Sequence, residues 1–239
     1  MLIGGVNLKV FSQKHYAIIL YNFILSILIS ISSIFIFTYL FLKSKFIYGI
    51  YLTKVDFSNC ISLSKNKIYE NYCILCDFIS SPFKNKLVLP DFNISYNSMI
   101  HFYDVKKILT TLLLITLLTL CIIIIQFIIK SLAKAKFSLH FLMYVPIELI
   151  LFCSTLVLSF YINFDKCFLL FHKLLFNNDY WLFDPKIDPI INILPEDFFL
   201  MAASIILSSL IIESIFIIFI RKHILKTHSI HIIRFFFLS

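Results

Sequence analysis

The chain has 239 residues, 60% of them hydrophobic and only 14% charged, with 28 phenylalanines and a formal net charge of +8. That composition excludes an ordinary soluble domain and belongs to an integral membrane protein. Glycine occurs only at positions 4, 5 and 49, which excludes the Gly-rich phosphate cradles of ATP-driven pumps and nucleotide-dependent synthetases.

Four runs are long enough to cross a bilayer, since a span needs roughly 20 mainly apolar residues. They are Tyr16 to Leu42, Ile108 to Ile129, Phe141 to Ile162 and Phe198 to Ile220. Lys9, Lys14 and His15 before the first run look like the head of a signal peptide. The run is too long for one and no small-x-small site follows, so it reads as an uncleaved helix. No alternating segments of about ten residues recur to suggest a barrel. Backbone groups in lipid must bond internally, and the spans are therefore expected to be helices. The expected fold class is all-α membrane: a four-helix transmembrane bundle in one integral domain over residues 1–239, with outer loops 43–107 and 163–197.

Charge gives an orientation. The N-terminus, the 130–140 connection and the tail after Arg221 hold nine Lys or Arg and no acid, against twelve bases and eleven acids in the other two loops. The basic, acid-free set is expected on the cytoplasmic side, with both termini inside. The positive excess then faces anionic membrane lipid and requires no nucleic acid.

The first outer loop is too long for a plain connector. Phe46, Tyr48, Ile50 and Leu52 alternate against Ile47, Tyr51 and Thr53, a period of two that predicts a small extracytoplasmic cap containing short β-strands. Cys60, Cys73 and Cys76 lie in the same loop. A CxxC without a second pair is weak evidence for zinc or redox chemistry, and structural or unpaired thiols are the preferred reading.

Just before the second run, His101 and Asp104 stand three residues apart. If a helix begins near Asn97 or Ser98 they share a face, and the carboxylate is placed to accept from the imidazole. The competing reading is a surface His near a helix N-terminus with an acid complementing the dipole. His172, in the apolar piece Phe168 to Phe176, is either an acid–base group beside lipid or part of an interfacial anchor. Both histidines are expected on one side of the membrane. Asn177, Asn178 and Asp179 fit a polar head group, an oxyanion or an ordinary turn. Trp181 fits an aromatic belt as well as a ligand pocket, and Asp184-Pro185 and Asp188-Pro189 mark turns. Pro195, Glu196 and Asp197 form a helix start signal. Within the spans, Glu148, Glu213 and Gln126 lie at similar depth. They are candidates for a proton or ion path, but packing by interhelical hydrogen bonds is preferred.

Taken together, Phe171-His172, Asn178-Asp179, Trp181, Asp184-Pro185, Asp188 and Leu194-Pro195-Glu196 followed by Phe198-Phe199 resemble the hallmark segment of the lipoprotein intramolecular transacylase (Lit) family. His101-x-x-Asp104-Val105 resembles that family's other His motif. The resemblance covers most of the chain and departs from the pattern at Phe102, where Met is expected, and in the basic tail after Arg221. It implies an acyltransferase of the bacterial cell membrane acting on a diacylated lipoprotein, with its active site on the extracytoplasmic side. The sn-2 acyl chain of the S-diacylglyceryl-cysteine moves to the cysteine α-amino group, giving the lyso form. No cofactor or metal is implied, because ester to amide is downhill. His101, His172 and Asp104 are then the expected catalytic residues, with Asp104 orienting His101. Asn177, Asn178, Asp179, Trp181 and Asp184 are expected to bind substrate. His172 is assigned as base on the amine and His101 as partner at the oxyanion or leaving oxygen, an assignment that is reversible. Two rivals remain at this level: an outer-leaflet phospholipid acyl-hydrolase or acyltransferase with the same constellation, and a transporter or assembly subunit working through Glu148 and Glu213.

Overall fold

The computed structural model describes the backbone of residues 2–3, 6–135 and 138–237, and the side chains of residue 13 and of residues 15–135 and 138–224. It is an all-α membrane protein with six α-helices: α1 (Leu8–Lys43), α2 (Phe46–Lys54), α3 (Lys65–Ser80), α4 (Tyr96–Leu132), α5 (Val145–Leu175) and α6 (Glu196–Phe237). Stretches of four of them, His15–Lys43, Tyr96–Leu132, His140–Leu175 and Glu196–Ile224, are long and apolar enough to cross a membrane. The only strand pairing among the described residues is a two-residue antiparallel one at the N-terminus, Leu2 opposite Asn7 and Ile3 opposite Val6. The chain divides into two compact units, Met1–Ser33 with Ile115–Cys153 and Leu210–Ser239, and Ile34–Leu114 with Ser154–Ser209. His101, Asp104, His172 and the residues from Asn177 to Asp184 lie in the second, and Gln126, Glu148 and Glu213 in the first.

The segment 43–107 holds no strand; its helices are α2, α3 and the first turns of α4. The alternation at 46–52 misleads because only Tyr48 and Leu52 are buried, four apart as on a helix, while Phe46 and Ile50 are exposed. Ser64 caps α3 by accepting from the Lys67 N–H at 3.5 Å. Ile68, Tyr72, Leu75 and Cys76 then recur at helical spacing and are buried. Cys60, Cys73 and Cys76 carry free thiols, and burial pushes the Cys76 thiol up to about 12.

Two features set the direction of the helices that matter for function. Helix α5 is two helices in one: Asn163 has extended dihedrals (φ −167°, ψ 103°), and its side-chain oxygen accepts from the Lys166 N–H at 2.8 Å. Asn163 therefore acts as the N-cap of a second piece, residues 164–175, that carries His172 in a new direction. Helix α4 is started by Ser95, whose hydroxyl accepts from the Ser98 N–H at 3.2 Å. The buried Asp188 carboxylate in turn accepts from the Ser95 N–H at 2.7 Å and from its hydroxyl at 2.8 Å.

An aromatic cluster joins α2, α3 and the first turn of α6. Tyr48 stacks on Tyr72 with centroids 3.8 Å apart, and Phe198 meets both edge-on at 5.0 and 5.6 Å. The Tyr48 hydroxyl donates to the Ile193 carbonyl at 2.7 Å. Nearby, Lys106 extends its ammonium over Phe78, 4.5 Å from the ring centroid, and donates to the Lys84 carbonyl. Truncating Phe198 to Ala removes the shared edge of the cluster and should destabilise the protein by about 3–5 kcal/mol. Tyr48→Phe, which only orphans the Ile193 carbonyl, should cost about 1 kcal/mol. Thermal unfolding in detergent checks the ranking, which fails if the two variants melt together.

Asp77 on α3 faces Lys45 at 2.7 Å and Lys43 and Lys84 at 3.8 Å each. Burial alone would raise this carboxyl; the Lys45 hydrogen bond and the three lysine charges outweigh it and hold it below the ordinary carboxylate range. A carboxyl lowered on folding stabilises the native state above its unfolded value of about 3.9, and that contribution is lost as pH falls through the folded value. Melting temperature should thus decline below about pH 4 in the parent and less steeply in Asp77→Asn.

Candidate active site

Helix α4 presents His101 one turn after its cap and Asp104 on the next turn, and the second piece of α5 presents His172. The two imidazole rings lie 6.1 Å apart, centroid to centroid, inclined at 36°. Even with nitrogens aimed at each other, that spacing exceeds a direct hydrogen bond.

His172 is held on several sides. Its Nδ1 lies 2.8 Å from the Phe168 carbonyl oxygen, one helical turn earlier. A carbonyl only accepts, so Nδ1 carries the hydrogen and the neutral ring presents an unprotonated Nε2. Phe168 also packs on the ring at 4.3 Å, and Trp181 stacks on it at 4.7 Å and 26°. His101 is buried. Phe176 and Phe183 meet its ring edge-on at 4.7 and 5.5 Å, and its Nδ1 has no hydrogen-bond partner among the described residues. A buried imidazole nitrogen without a partner is uncommon and often marks a functional position.

The expected hydrogen bond from His101 to Asp104 is not formed. Asp104 Oδ2 instead accepts from Asn178 Nδ2 at 3.0 Å, across 74 positions of sequence. Asn178 Oδ1 accepts from the Tyr180 N–H at 3.1 Å, and its backbone carbonyl accepts from the Trp181 indole N–H at 3.0 Å. Asn178 and Trp181 are thus brought to the histidines. Asp179 and Asp184 are exposed and serve turns: the Asp179 carbonyl accepts from Leu182, and Asp184 Oδ1 accepts from Lys186. Asn177 is exposed beside an open groove of about 370 Å³, whose lining also includes Asp104, Lys107, Asn178, Phe176, Leu112 and Leu175. Its lining combines an acid, a base and two amides with apolar side chains of α4 and the close of α5.

Sequence reading missed Phe168, Phe176 and Phe183, which build the aromatic enclosure. Phenylalanine is too abundant here to stand out, although Phe168, His172 and Phe176 at i, i+4 and i+8 mark one helix face. It also missed the bond between Ser95 and Asp188, which no local pattern announces. Glu148 and Glu213, for which packing by interhelical hydrogen bonds is the preferred reading, bind different serines of α1. Ser26 and Ser30 donate to Glu148 at 2.6 and 2.7 Å, and Ser33 donates to Glu213 at 2.9 Å. Among the described residues no three His, Cys, Asp or Glu assemble as a metal-ligand set.

Four apolar helices and two facing imidazoles enclosed by aromatic rings define a membrane-integral protein with a candidate acid–base site. Residues 21–199 match the model of the lipoprotein intramolecular transacylase Lit, and the chain belongs to that family of acyltransferases. It is similar to the membrane-integral lipoprotein intramolecular transacylase Lit of Bacillus cereus, whose in meso structure is 35% identical with a TM-score of 0.79, over 88% of this chain and 97% of that one. Variants of that protein with one histidine replaced by alanine or by arginine are each 34% identical, with TM-scores of 0.76 and 0.67. They cover 93% and 92% of this chain and 99% of theirs. Among curated proteins none matches this chain.

The Asp188 clamp tests how the site is positioned. Asp188→Ala strands the Ser95 N–H and hydroxyl, two donors to a charged acceptor, and should cost on the order of 3 kcal/mol. Hydrogen exchange at residues 96–104 should accelerate by about two orders of magnitude if this bond starts α4. An unchanged exchange pattern would count against it.

Proposed function

We propose that this transacylase moves the sn-2 acyl chain of a lipoprotein's S-diacylglyceryl-cysteine to the cysteine α-amino group, with His172 as base and His101 as its partner. The observation that carries the reading is the pair of rings 6.1 Å apart, one tied through Nδ1 to the Phe168 carbonyl so that Nε2 is open. An α-amino group titrates near 8 and an imidazole near 6.5, so an unprotonated Nε2 is suited to finishing the deprotonation of the amine. The amine nitrogen then attacks the sn-2 ester carbonyl, forming the C–N bond and a tetrahedral oxyanion. His101 donates to the oxyanion or to the departing oxygen. Collapse breaks the C–O bond and the glycerol oxygen takes the proton, leaving an amide and a free sn-2 hydroxyl. Nucleophile and ester belong to one molecule, so the protein's task is to fold the lipid head into this geometry.

The groove suits such a substrate. Asp104, Lys107, Asn177 and Asn178 supply the polar groups of its lining, and Ile108, Leu112 and Leu175 supply apolar ones. The active site is assigned to the extracytoplasmic side and both termini to the cytoplasmic side. The support is that the acid-free basic segments are the N-terminus, residues 130–140 and the tail. Diacylated lipoprotein and membrane lipid are the partners, and nucleic acid has no place in this reading.

His172→Ala and His101→Ala should each lower lyso-lipoprotein formation by about 10²–10⁴-fold. The assay is mass spectrometry of lipoprotein N-termini from cells expressing each variant. Conversion to the lyso form without net loss of acyl chain marks the transfer, whereas released fatty acid marks a hydrolase. Full activity in both histidine variants, with loss in Glu148→Gln or Glu213→Gln, would replace this mechanism with one based on the intramembrane acids.

A further inference from the structure

We propose that Asp104, Asn178 and Trp181 form a positioning relay that fixes the ring of His172 and ties its pose to the groove. This inference rests on the reading of His172 as the base. The carboxylate that sequence spacing assigns to His101 is spent on Asn178 at 3.0 Å. Asn178 is pinned at three points: its amide N–H₂ by Asp104, its amide oxygen by the Tyr180 N–H, and its backbone carbonyl by the Trp181 indole. Trp181 is buried, and with its N–H anchored its plane is set. That plane is the one lying on His172 at 4.7 Å and 26°.

The face of the imidazole is thereby fixed by Trp181, one nitrogen is fixed by the Phe168 carbonyl, and Nε2 is the atom left for chemistry. Asp104 and Asn178 also line the groove, whereas Trp181 does not. A ligand group in the groove can touch Asp104 and Asn178, and the relay joins those contacts to the base. Asp104 and Asn178 are positioning residues for His172, and groove occupancy and the orientation of Nε2 are coupled through them. His101 is the other titratable ring facing His172, at 6.1 Å; the remaining ring neighbours are Phe168, Phe171, Phe176 and Trp181.

Trp181 is the only tryptophan in the chain, so its emission reports this stack alone. Imidazolium quenches indole in van der Waals contact. The full-length protein in nanodiscs should therefore lose emission as His172 takes a proton. His172→Ala should abolish that step and His101→Ala should retain it. Asn178→Ala and Asp104→Ala keep the backbone carbonyl that accepts from the indole but remove the side-chain bonds that hold that backbone in place, and should reduce the amplitude of the step by at least half. A step of undiminished amplitude in both relay variants, or no step in the parent protein, overturns the relay.

Kinetics with a synthetic S-diacylglyceryl-cysteinyl peptide give the second readout. Asp104→Ala, Asn178→Ala and Trp181→Ala should lower kcat by about 10- to 100-fold with KM within a few fold, the size of effect seen for groups that orient a reactive residue. Trp181→Phe, which keeps a ring face without the anchored N–H, should recover part of the loss. The Asn178→Ala/Trp181→Ala double variant should be no slower than the worse single variant, since both remove one device. A rise in KM at unchanged kcat, or losses that multiply, would make these residues direct substrate contacts and overturn the proposal. Failure of the base assignment is separable. There, His172→Ala stays active while the Trp181 emission step still follows Asn178 and Asp104.

Discussion

Tyr48 stacked on Tyr72 and closed edge-on by Phe198 is the contact from which the rest of the site takes its position. Helices in lipid gain nothing from hiding apolar side chains from one another, since the solvent is as apolar as they are. At and beyond the ends of the apolar runs burial from water regains its force, and that is where these rings sit: α2, α3 and the first turn of α6. Each such aromatic pair adds about 0.5–1.5 kcal/mol beyond its buried area. The Tyr48 hydroxyl gives the cluster direction by reaching the Ile193 carbonyl. Ile193 closes the short 3-10 turn Pro189–Ile193, which directly follows Asp188. Asp188 holds Ser95, Ser95 starts α4, and His101 and Asp104 follow on the next two turns. A packed aromatic cluster is thus linked through one buried carboxylate to the start of the helix that carries His101.

The parts of this arrangement that the sequence reveals are those governed by local rules. The four spans are legible because no other composition tolerates such apolar runs. The start of α6 is legible because Pro195, Glu196 and Asp197 each fit a helix N-terminus for an independent reason. His101 and His172 emerge because polar groups are so few. The segment 43–107 misleads because Phe46 and Ile50 are exposed apolar residues, and their alternation with Tyr48 and Leu52 mimics a strand. In water-soluble proteins exposed aromatics are scarce enough for alternation to be informative; beside a membrane they are common. The pairing of Asp104 with Asn178 is invisible for another reason. A carboxylate three residues from an imidazole on a helix has a local candidate partner, and only the tertiary fold supplies the better one 74 positions away. Asn163 lies between these extremes. An Asn followed by Asp165 is a helix start signal, but inside an apolar stretch it reads as the end of a span rather than the beginning of a second helix.

The intramembrane acids show how the same chemistry resolves when no substrate is involved. Ser26, Ser30 and Ser33 lie at i, i+4 and i+7, on one face of α1, and all are buried. Two of them satisfy both oxygens of Glu148, and the third satisfies one oxygen of Glu213. Hydroxyl donors to carboxyls in a low-dielectric setting give the association of apolar helices a specificity that Leu and Ile contacts lack. This arrangement accounts for Glu148 without an ion path and gives α1 a rotational register against its neighbours in that unit.

The two histidines differ in a way that bears on their division of labour. His172 has a carbonyl on one nitrogen and an indole across one face, so its remaining freedom is the proton on Nε2. His101 is wrapped by Phe176 and Phe183, and no described residue partners its Nδ1. A group that must remove a proton from a nucleophile benefits from a fixed tautomer and a fixed lone pair, because transfer falls off steeply with misalignment. A group that must meet an oxyanion benefits from a nitrogen that no protein atom already occupies, in surroundings where a single hydrogen bond is strong because water is excluded. Anchored imidazole and unpartnered imidazole therefore suit the proposed roles of base and oxyanion partner, in that order. Phe176, which packs on both rings and lines the groove, is the side chain that joins the histidine pair to it.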